Sequence, residues 1–500
     1  MDYKPTIGLE IHIELNTASK MFCSCRNDSG ETEPNKNICP ICLAHPGVLP
    51  MANEEAIKKV VKTALALNCQ INKHSFFERK NYFYPDLPKG YQISQYQAPL
   101  SKNGYLDLPQ NKKKIRITRI HLEEDTGSLV HPEGTDYSLV NFNRSGVPLM
   151  ELVTEPDLET SSEVKEFIKE LQLILRYLDV SGANMEKGEM RCEINISLAP
   201  EKTKELGTKV EVKNLNSIAV AGAAVEYEIK RQSEILEKGE NIVQETRGWH
   251  DAKRITFSQR QKEQAHDYLY FPEPDLPALN LSGEFIESIK NSLPELPQAK
   301  RFRFQEEYGL NINDVEVFIG KKGLADFFEQ SVSELGEWVG SEKGEELKDE
   351  EIKKLAKIAS NYLINDVLGQ ENEKAGLKFI PTPNEVIVWG FSPENFAEFV
   401  KMIYLGEISS KIAKTVLVKM IQTGNDPSHI VREEGLVQIS DTGEIENIAK
   451  EVIALNPKPA ADYKKGKMAA LQFLIGQLMG KTKGKASPEL AKETLEKMLK

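Results

Sequence analysis

The sequence predicts an α+β protein in three parts: an antiparallel-sheet domain over residues 1–293, an all-α domain over 294–405 and a small α-helical tail over 406–500. Three observations carry this. Up to about residue 290, short runs of alternating polar and apolar residues lie between turn signals and a few helices, without a regular βαβ rhythm. Pro272, Pro274, Pro277, Pro294 and Pro297 then punctuate the chain, and beyond them helical periodicity dominates. Gly406, followed by Ser409 and Ser410, reads as a helix stop and a fresh N-cap. A chain of 500 residues also exceeds what one core usually serves and favours about three domains.

The elements justify themselves in order. Ile7, Leu9, Ile11, Ile13 and Leu15 alternate with Gly8, Glu10, His12 and Glu14, the period of a strand with one apolar and one polar face. Cys192, Ile194, Ile196 and Leu198 oppose Arg191, Glu193, Asn195 and Ser197 in the same way, and Val210 and Val212 oppose Lys209, Glu211 and Lys213. Such strands build an antiparallel sheet with one packed face and one working face. Thr160 and Glu163 read as a capping box ahead of Val164, Phe167, Ile168, Leu171, Leu175 and Leu178 at helical spacing. A second helix is expected from about Ser217 to Lys238, stopped by Gly239.

Composition narrows the function. No apolar signal segment follows MDYKPTIGLE, and no stretch approaches the roughly 18 uninterrupted apolar residues of a membrane span. Six cysteines, four of them clustered, are no disulfide scaffold, so a reducing cytoplasm and no membrane partner are expected. The net charge of -12 excludes a uniformly basic nucleic-acid sleeve. The charge is nevertheless divided: residues 401–500 hold 16 Lys and Arg against 12 Asp and Glu. Within 458–485, Lys458, Lys464, Lys465, Lys467, Lys481, Lys483 and Lys485 face the single acid Asp462. Such a patch either contacts phosphates without reading sequence or is simply a solvated lysine face.

Glu10, His12 and Glu14 share a strand face, and with Glu123, Glu124 or Asp125 of RIHLEEDTG and Glu151 of PLMELVTEP they could form a hard-cation site for Mg²⁺ or Mn²⁺. The alternative is an exposed polar strand face. Arg79, Lys80, Lys89 and Arg144 are cations suited to polyphosphate. Tyr82, Phe83 and Tyr84 beside them could stack a base, although packing in the core is the commoner use of such residues. There is no dinucleotide fingerprint and no Walker A; Gly476, Gly480, Lys481 and Thr482 follow a helical pattern rather than a strand. Cys23, Cys25, Cys39 and Cys42 form C-x-C and C-x2-C pairs that suit a closed, structural Zn²⁺ better than free thiols. No acyl-transfer elbow or cysteine–histidine pair is apparent, so any ammonia used must come from a partner.

The segments IGLEIHIEL, RKNYFYPDLPKGYQISQ, RIHLEEDTG, LVNFNRSGVPLMELVTEPD, GEMRCEINISL, VEVKNLNS, YFPEPDLP, ISSKIAK, GLVQISD and GKTKGKASP together resemble, over nearly the whole chain, the GatB subunits of the aspartyl/glutamyl-tRNA(Asn/Gln) amidotransferases. The resemblance implies a glutamine-synthetase-like cradle domain, then a helical domain and a tail domain that touches tRNA. It implies ATP- and Mg²⁺-dependent phosphorylation of the side-chain carboxylate of Glu-tRNA(Gln) or Asp-tRNA(Asn). Ammonia delivered from an amidase (glutaminase) subunit then replaces phosphate, with a small third subunit completing a heterotrimer. Carried onto this chain, it assigns Glu10, His12, Glu124 and Glu151 to Mg²⁺, with Glu123 in reserve. Lys80, Lys89 and Arg144 become phosphate or channel residues, and Lys481, Lys483 and Lys485 the tRNA contacts. A different reading, a non-catalytic tRNA-binding adaptor, would leave the polar face of the first strand without a role.

Overall fold

The computed structural model describes residues 3–28, 30–203, 205–261, 268–371, 390–436, 442–482 and 485–499. The chain divides into two compact units, Met1–Gln298 and Ala299–Lys500. The first carries strands β1 (Tyr3–Glu14), β2 (Gln70–Ile71), β3 (His74–Ser75), β4 (Glu78–Asn81), β5 (Tyr91–Ser94), β6 (Ser101–Leu108), β7 (Lys113–Glu124) and β8 (Ser128–Val130). It continues with β9 (Leu139–Asn141), β10 (Pro148–Thr154), β11 (Met190–Pro200), β12 (Val210–Leu215), β13 (Glu245–His250), β14 (Ile255–Gln261), β15 (Leu269–Pro272) and β16 (Leu279–Asn280). Helices α1 (Glu54–Ala66), α2 (Ser161–Tyr177), α3 (Ile218–Glu237) and α4 (Gly283–Asn291) complete it.

A nine-stranded sheet in the order β14-β13-β12-β11-β1-β10-β7-β6-β2 is the frame. The N-terminal strand therefore lies in its middle. The pairs are antiparallel except β12 with β13, whose parallel register is made possible by the crossover through α3. The odd residues of β1 form the packed face: Ile7, Leu9, Ile11 and Ile13 are each no more than 1% exposed and share one core with Val60, Phe167, Leu171, Ile194 and Val212. Thr160 caps α2 by accepting from Glu163 N, while the Glu163 carboxylate reaches back to Glu159 N, one residue earlier than a capping box places it. Ser217 caps α3. A second, three-stranded sheet, β15-β4-β5, joins segments some 180 residues apart, with Lys80 pairing Tyr270 on one side and Gln92 on the other.

The second unit is helical. It contains α5 (Pro297–Tyr308), α6 (Ile312–Ile319), α7 (Lys322–Lys343), α8 (Asp349–Asn361), α9 (Leu368–Glu371), α10 (Pro393–Tyr404), α11 (Ser410–Thr423) and α12 (Pro427–Glu433). Then follow α13 (Thr442–Leu455), α14 (Pro457–Lys464), α15 (Met468–Lys481) and α16 (Pro488–Leu499). Phe304, Phe318 and Phe328 pack ring on ring, with centroids 4.5–6.1 Å apart, and tie α5, α6 and α7 together. The last four helices have a core of their own, built on Ile445, Val452, Leu471, Leu474, Leu478 and Leu495.

One glycine sets a clear steric limit. A Cβ on Gly104 in β6 would lie 2.2 Å from Cys69 Sγ and 2.7 Å from the Leu67 carbonyl, which accepts Tyr105 N at 2.8 Å. Gly104→Ala should destabilise the first unit by about 1–3 kcal/mol, seen as a lower urea midpoint with an unchanged m value.

Candidate active site

Three adjacent strands place the site. In the register of β1 with β10, His12 faces Glu151; in that of β10 with β7, Glu151 faces His121. Alternation then puts Glu10, His12, Glu151, His121 and Glu123 on one face, opposite the packed one. His12 Nε2 lies 3.3 Å from Glu151 Oε2, 3.6 Å from Glu123 Oε1 and 3.9 Å from Glu10 Oε1. His121 Nε2 lies 3.5 Å from the same Glu151 oxygen and 3.7 Å from Glu123 Oε2. Glu10–His12–Glu151 and His121–Glu123–Glu151 are thus two triads that share a carboxylate, each with its ligand atoms within 4.8 Å of one another.

Burial makes this cluster electrostatically tense. It works against a charged His12, but the hydrogen bond to Glu151 and the charges of Glu151, Glu123 and Glu10 outweigh it and raise the imidazole to about 9. Burial likewise acts to raise Glu151, yet His121, His12 and Lys80 hold it well below the ordinary carboxylate range. Glu123 is also lowered, against its burial, first by its bond with His121. Glu10 goes the other way: burial and the neighbouring Glu151 raise it. Three carboxylates and two imidazoles, buried at Glu123, Glu151 and His121, half-buried at Glu10 and His12 and separated by gaps longer than good hydrogen bonds, form a donor set suited to a hard divalent cation with mixed O and N ligands. Among the described residues, His121 Nδ1 has no hydrogen-bond partner, so the ring's one polar engagement is through Nε2 toward the carboxylates.

The structure separates the adjacent pair Glu123 and Glu124. The pleat turns Glu124 away from His12, and Glu124 instead takes the Lys89 ammonium at 2.5 Å and accepts Ile93 N at 2.9 Å. The expected set Glu10, His12, Glu124 and Glu151 is therefore corrected: Glu123 stands where Glu124 was placed. Asp125 also lies outside the cluster, paired with Arg191 at 2.8 Å and Arg144 at 3.4 Å. Arg144 donates besides to the carbonyls of Thr126 and Gly127, so it braces a turn. Lys80 does face the cluster; burial acts to lower its pKa, but Glu123, Tyr270 and Glu151 raise it. Lys89 and Glu124 line a cavity of about 200 Å³ together with Cys42, His45, Tyr91 and Gly146.

Two groups escaped the sequence reading. His121 was visible as one more step of the alternation that includes Glu123, two residues apart on one strand face. Lys213, in VEVKNLNS, lies 2.8 Å from Glu193 Oε2 and 3.7 Å from Glu211 Oε1, and its charge reaches Glu10; only the register Glu10↔Glu193 brings it there. Tyr82, Phe83 and Tyr84 do not form the core expected of them: Phe83 is 90% and Tyr84 61% exposed.

The four cysteines converge. Cys23, Cys25, Cys39 and Cys42 bring their sulfurs within 4.8 Å of one another, with Cys42 Sγ 3.7 Å from Cys39 Sγ and 4.0 Å from Cys25 Sγ. Cys39 N donates to Cys42 Sγ, and Lys20 Nζ, on a fully buried side chain, lies 3.9 Å away. Bonding to Cys23 first, then Cys39 N and the Lys20 charge, bring Cys42 down to about 5 despite burial. Four converging sulfurs, one of them held toward the thiolate by an N–H donor and a buried ammonium, fit a four-sulfur Zn²⁺ site, whose ligands carry excess negative charge.

In the tail, Lys481 is ion-paired with Glu451 at 2.6 Å, Lys485 N donates to the Thr482 carbonyl at 3.0 Å, and Lys483 lies outside the described residues.

Residues 5–287 match the family model "GatB/GatE catalytic domain", and residues 345–499 match "GatB domain". The chain is 45% identical over 503 residues to the GatB subunit of the aspartyl/glutamyl-tRNA(Asn/Gln) amidotransferase of Carboxydothermus hydrogenoformans, covering 100% of this chain and 99% of that one. Subunits of the same name from Thermotoga maritima and Persephonella marina are each 46% identical, over 100% of this chain and 99% and 100% of theirs. The two-triad sheet face thus lies within the segment matched as catalytic, and the chain belongs to the GatB family of aspartyl/glutamyl-tRNA(Asn/Gln) amidotransferase subunits.

Proposed function

We propose that this chain is the ATP-dependent half of a tRNA amidotransferase, and that its substrates are Glu-tRNA(Gln), Asp-tRNA(Asn) or both. The single observation that carries the reading is the sharing of Glu151 by His12 and His121 on a buried sheet face. A side-chain carboxylate resists amide formation until one oxygen becomes a leaving group. Transfer of the γ-phosphoryl group of ATP to that oxygen releases ADP; ammonia then attacks the acyl carbon and phosphate departs. Glu10, His12, Glu123, Glu151 and His121 would hold Mg²⁺, which when bound offsets the negative charge gathered by the phosphates and the carboxylate.

The chain's own residues do the remaining work. Lys213, beside Glu10 and Glu193, is placed to meet the polyphosphate on one flank, and Lys80 supplies a second cation on the other. The neutral walls under the face, Ile11, Ile120 and Leu152, keep water from the carboxylates' far side. Ammonia would be supplied by an amidase (glutaminase) subunit held in a heterotrimer with a small third subunit; the Lys89–Glu124 pair, one residue along from Glu123, lines a cavity beside the cluster. Cys23, Cys25, Cys39 and Cys42 would hold Zn²⁺, which would brace the segment before α1. Among the described residues, no helix is long and apolar enough to cross a membrane. As a translation enzyme the chain would act in the cytoplasm.

In the reconstituted complex, His12→Ala or Glu151→Gln should reduce tRNA-dependent ATP hydrolysis and amide product on the order of 100-fold or more, leaving glutaminase activity in place. Undiminished ATP turnover would instead support the adaptor reading. Metal analysis should find about one Zn²⁺ per chain, lost together with thermal stability in the Cys39→Ser, Cys42→Ser variant. Replacing Lys481, Lys483 and Lys485 by Ala should weaken tRNA binding and lower the slope of log K against log salt by up to about 3, with the KM for ATP unchanged.

A further inference from the structure

The flank of the cluster opposite Lys213 is a wall of tyrosines. Register puts Lys80 of β4 beside Tyr270 of β15, and the same alternation carries Tyr82 and Tyr268, just beyond the strand ends, to that side of the small sheet. Tyr96, two residues past β5, stacks on Tyr270 with ring centroids 4.7 Å apart and planes 17° from parallel. Tyr82 meets Tyr268 at 5.5 Å, and Lys80 Nζ lies 5.0 Å from the Tyr268 ring centre and 5.9 Å from that of Tyr82. Tyr96 and Tyr268 are more than half exposed. The wall borders the site: Ser94, two residues before Tyr96, donates its hydroxyl to Glu123 Oε2 at 3.0 Å, and Lys80 and Tyr270 feel the charges of Glu123 and Glu151.

Exposed aromatics concentrated in one place mark a binding surface. Four phenols, two of them facing one ammonium, are poorly suited to an aliphatic partner, whereas flat rings with polar edges and a cation suit an unpaired base and its phosphate. Geometry also divides the site. In-line phosphoryl transfer sets the nucleotide and the accepting carboxylate on opposite sides of the transferred phosphorus. If Lys213 at the β12 flank meets the polyphosphate, the aminoacyl group approaches from the β4–β15 flank, and the nucleoside esterified to it must rest within a few ångströms of that flank.

We propose that Tyr82, Tyr96, Tyr268 and Tyr270 form a stacking seat for the unpaired 3′-terminal adenosine that carries the aminoacyl ester, with Lys80 beneath it. This rests on the function proposed above and adds the subsite that brings the substrate's reacting end to the metal cluster. Tyr96 and Tyr268 are the accessible members, so changing them should leave the core intact.

The test is a cycle on the assembled heterotrimer: wild type, Tyr96→Ala with Tyr268→Ala, and Tyr96→Phe with Tyr268→Phe, each titrated with uncharged tRNA and with the same tRNA lacking its terminal adenosine. Removing the adenosine should weaken binding to wild type and the Phe pair by roughly tenfold or more, and to the Ala pair hardly at all. In turnover the Ala pair should raise the KM for mischarged tRNA by a similar factor, with the KM for ATP and glutaminase activity unchanged. An equal loss on removing adenosine in all three proteins overturns the seat. A raised KM for ATP with unaltered tRNA binding would assign the wall to the nucleotide, and failure of the Ala pair to assemble would make it an inter-subunit contact; either result also overturns it. Wild-type complex that forms no amide product would instead defeat the function proposed above.

Discussion

The pairing of β10 with both β1 and β7 is the constraint on which the site depends. Side chains alternate with a period of two, so a slip of one residue in either pairing would move Glu151 to the packed face and bring leucine or methionine up beside His12. The register is held from the other side of the sheet. Ile7, Leu9, Ile11 and Ile13 all point into the core made with α2 and β11, and a slip that turned the strand by one residue would expose all four. Apolar packing on one face thereby fixes where five ionisable groups meet on the other.

That meeting is costly by itself. Three carboxylates, two of them buried and one half-buried, repel one another and lose hydration, and two imidazoles offset only part of this. The opposite displacements of Glu10 and Glu151 express the imbalance: one carboxylate resists ionisation while its neighbour is held ionised by His121, His12 and Lys80. The surroundings supply cations at each edge, Lys213 toward β12 and Lys80 toward β4, so the excess negative charge is confined to the middle of the face. The cysteine tetrad follows the same rule on a smaller scale, with the buried ammonium of Lys20 set against sulfur.

Much of this was legible in the sequence, for physical reasons that differ from element to element. The β1 alternation was readable because its two faces live in different solvents. The ends of α2 and α3 were readable because Thr160 and Ser217 satisfy local backbone donors, a short-range need. The cysteine tetrad was readable because its spacing is itself a ligand geometry. Choosing between Glu123 and Glu124 was not, since both sit at the end of one strand and only the partner across β10 tells which way the pleat turns. Lys213 was hidden for the same reason, since Glu10 and Glu193 are distant from it in the chain, whereas His121 was legible from its alternation with Glu123. Phe83 and Tyr84 misled because hydrophobic rings usually go inside, and here the turn after β4 leaves them at the surface.

The central position of β1 has a consequence during synthesis. It is the first strand made, yet Glu10 pairs with Val153 and Tyr3 with Pro200. At about 5–20 residues per second a ribosome takes roughly 7–30 s to make the first of those partners. Through that interval a strand with an unbroken row of isoleucine and leucine has both backbone edges open. The even positions of IGLEIHIE then serve the nascent chain before they serve the enzyme: Glu10, His12 and Glu14 on alternate residues keep the waiting strand soluble and discourage its pairing with copies on neighbouring ribosomes.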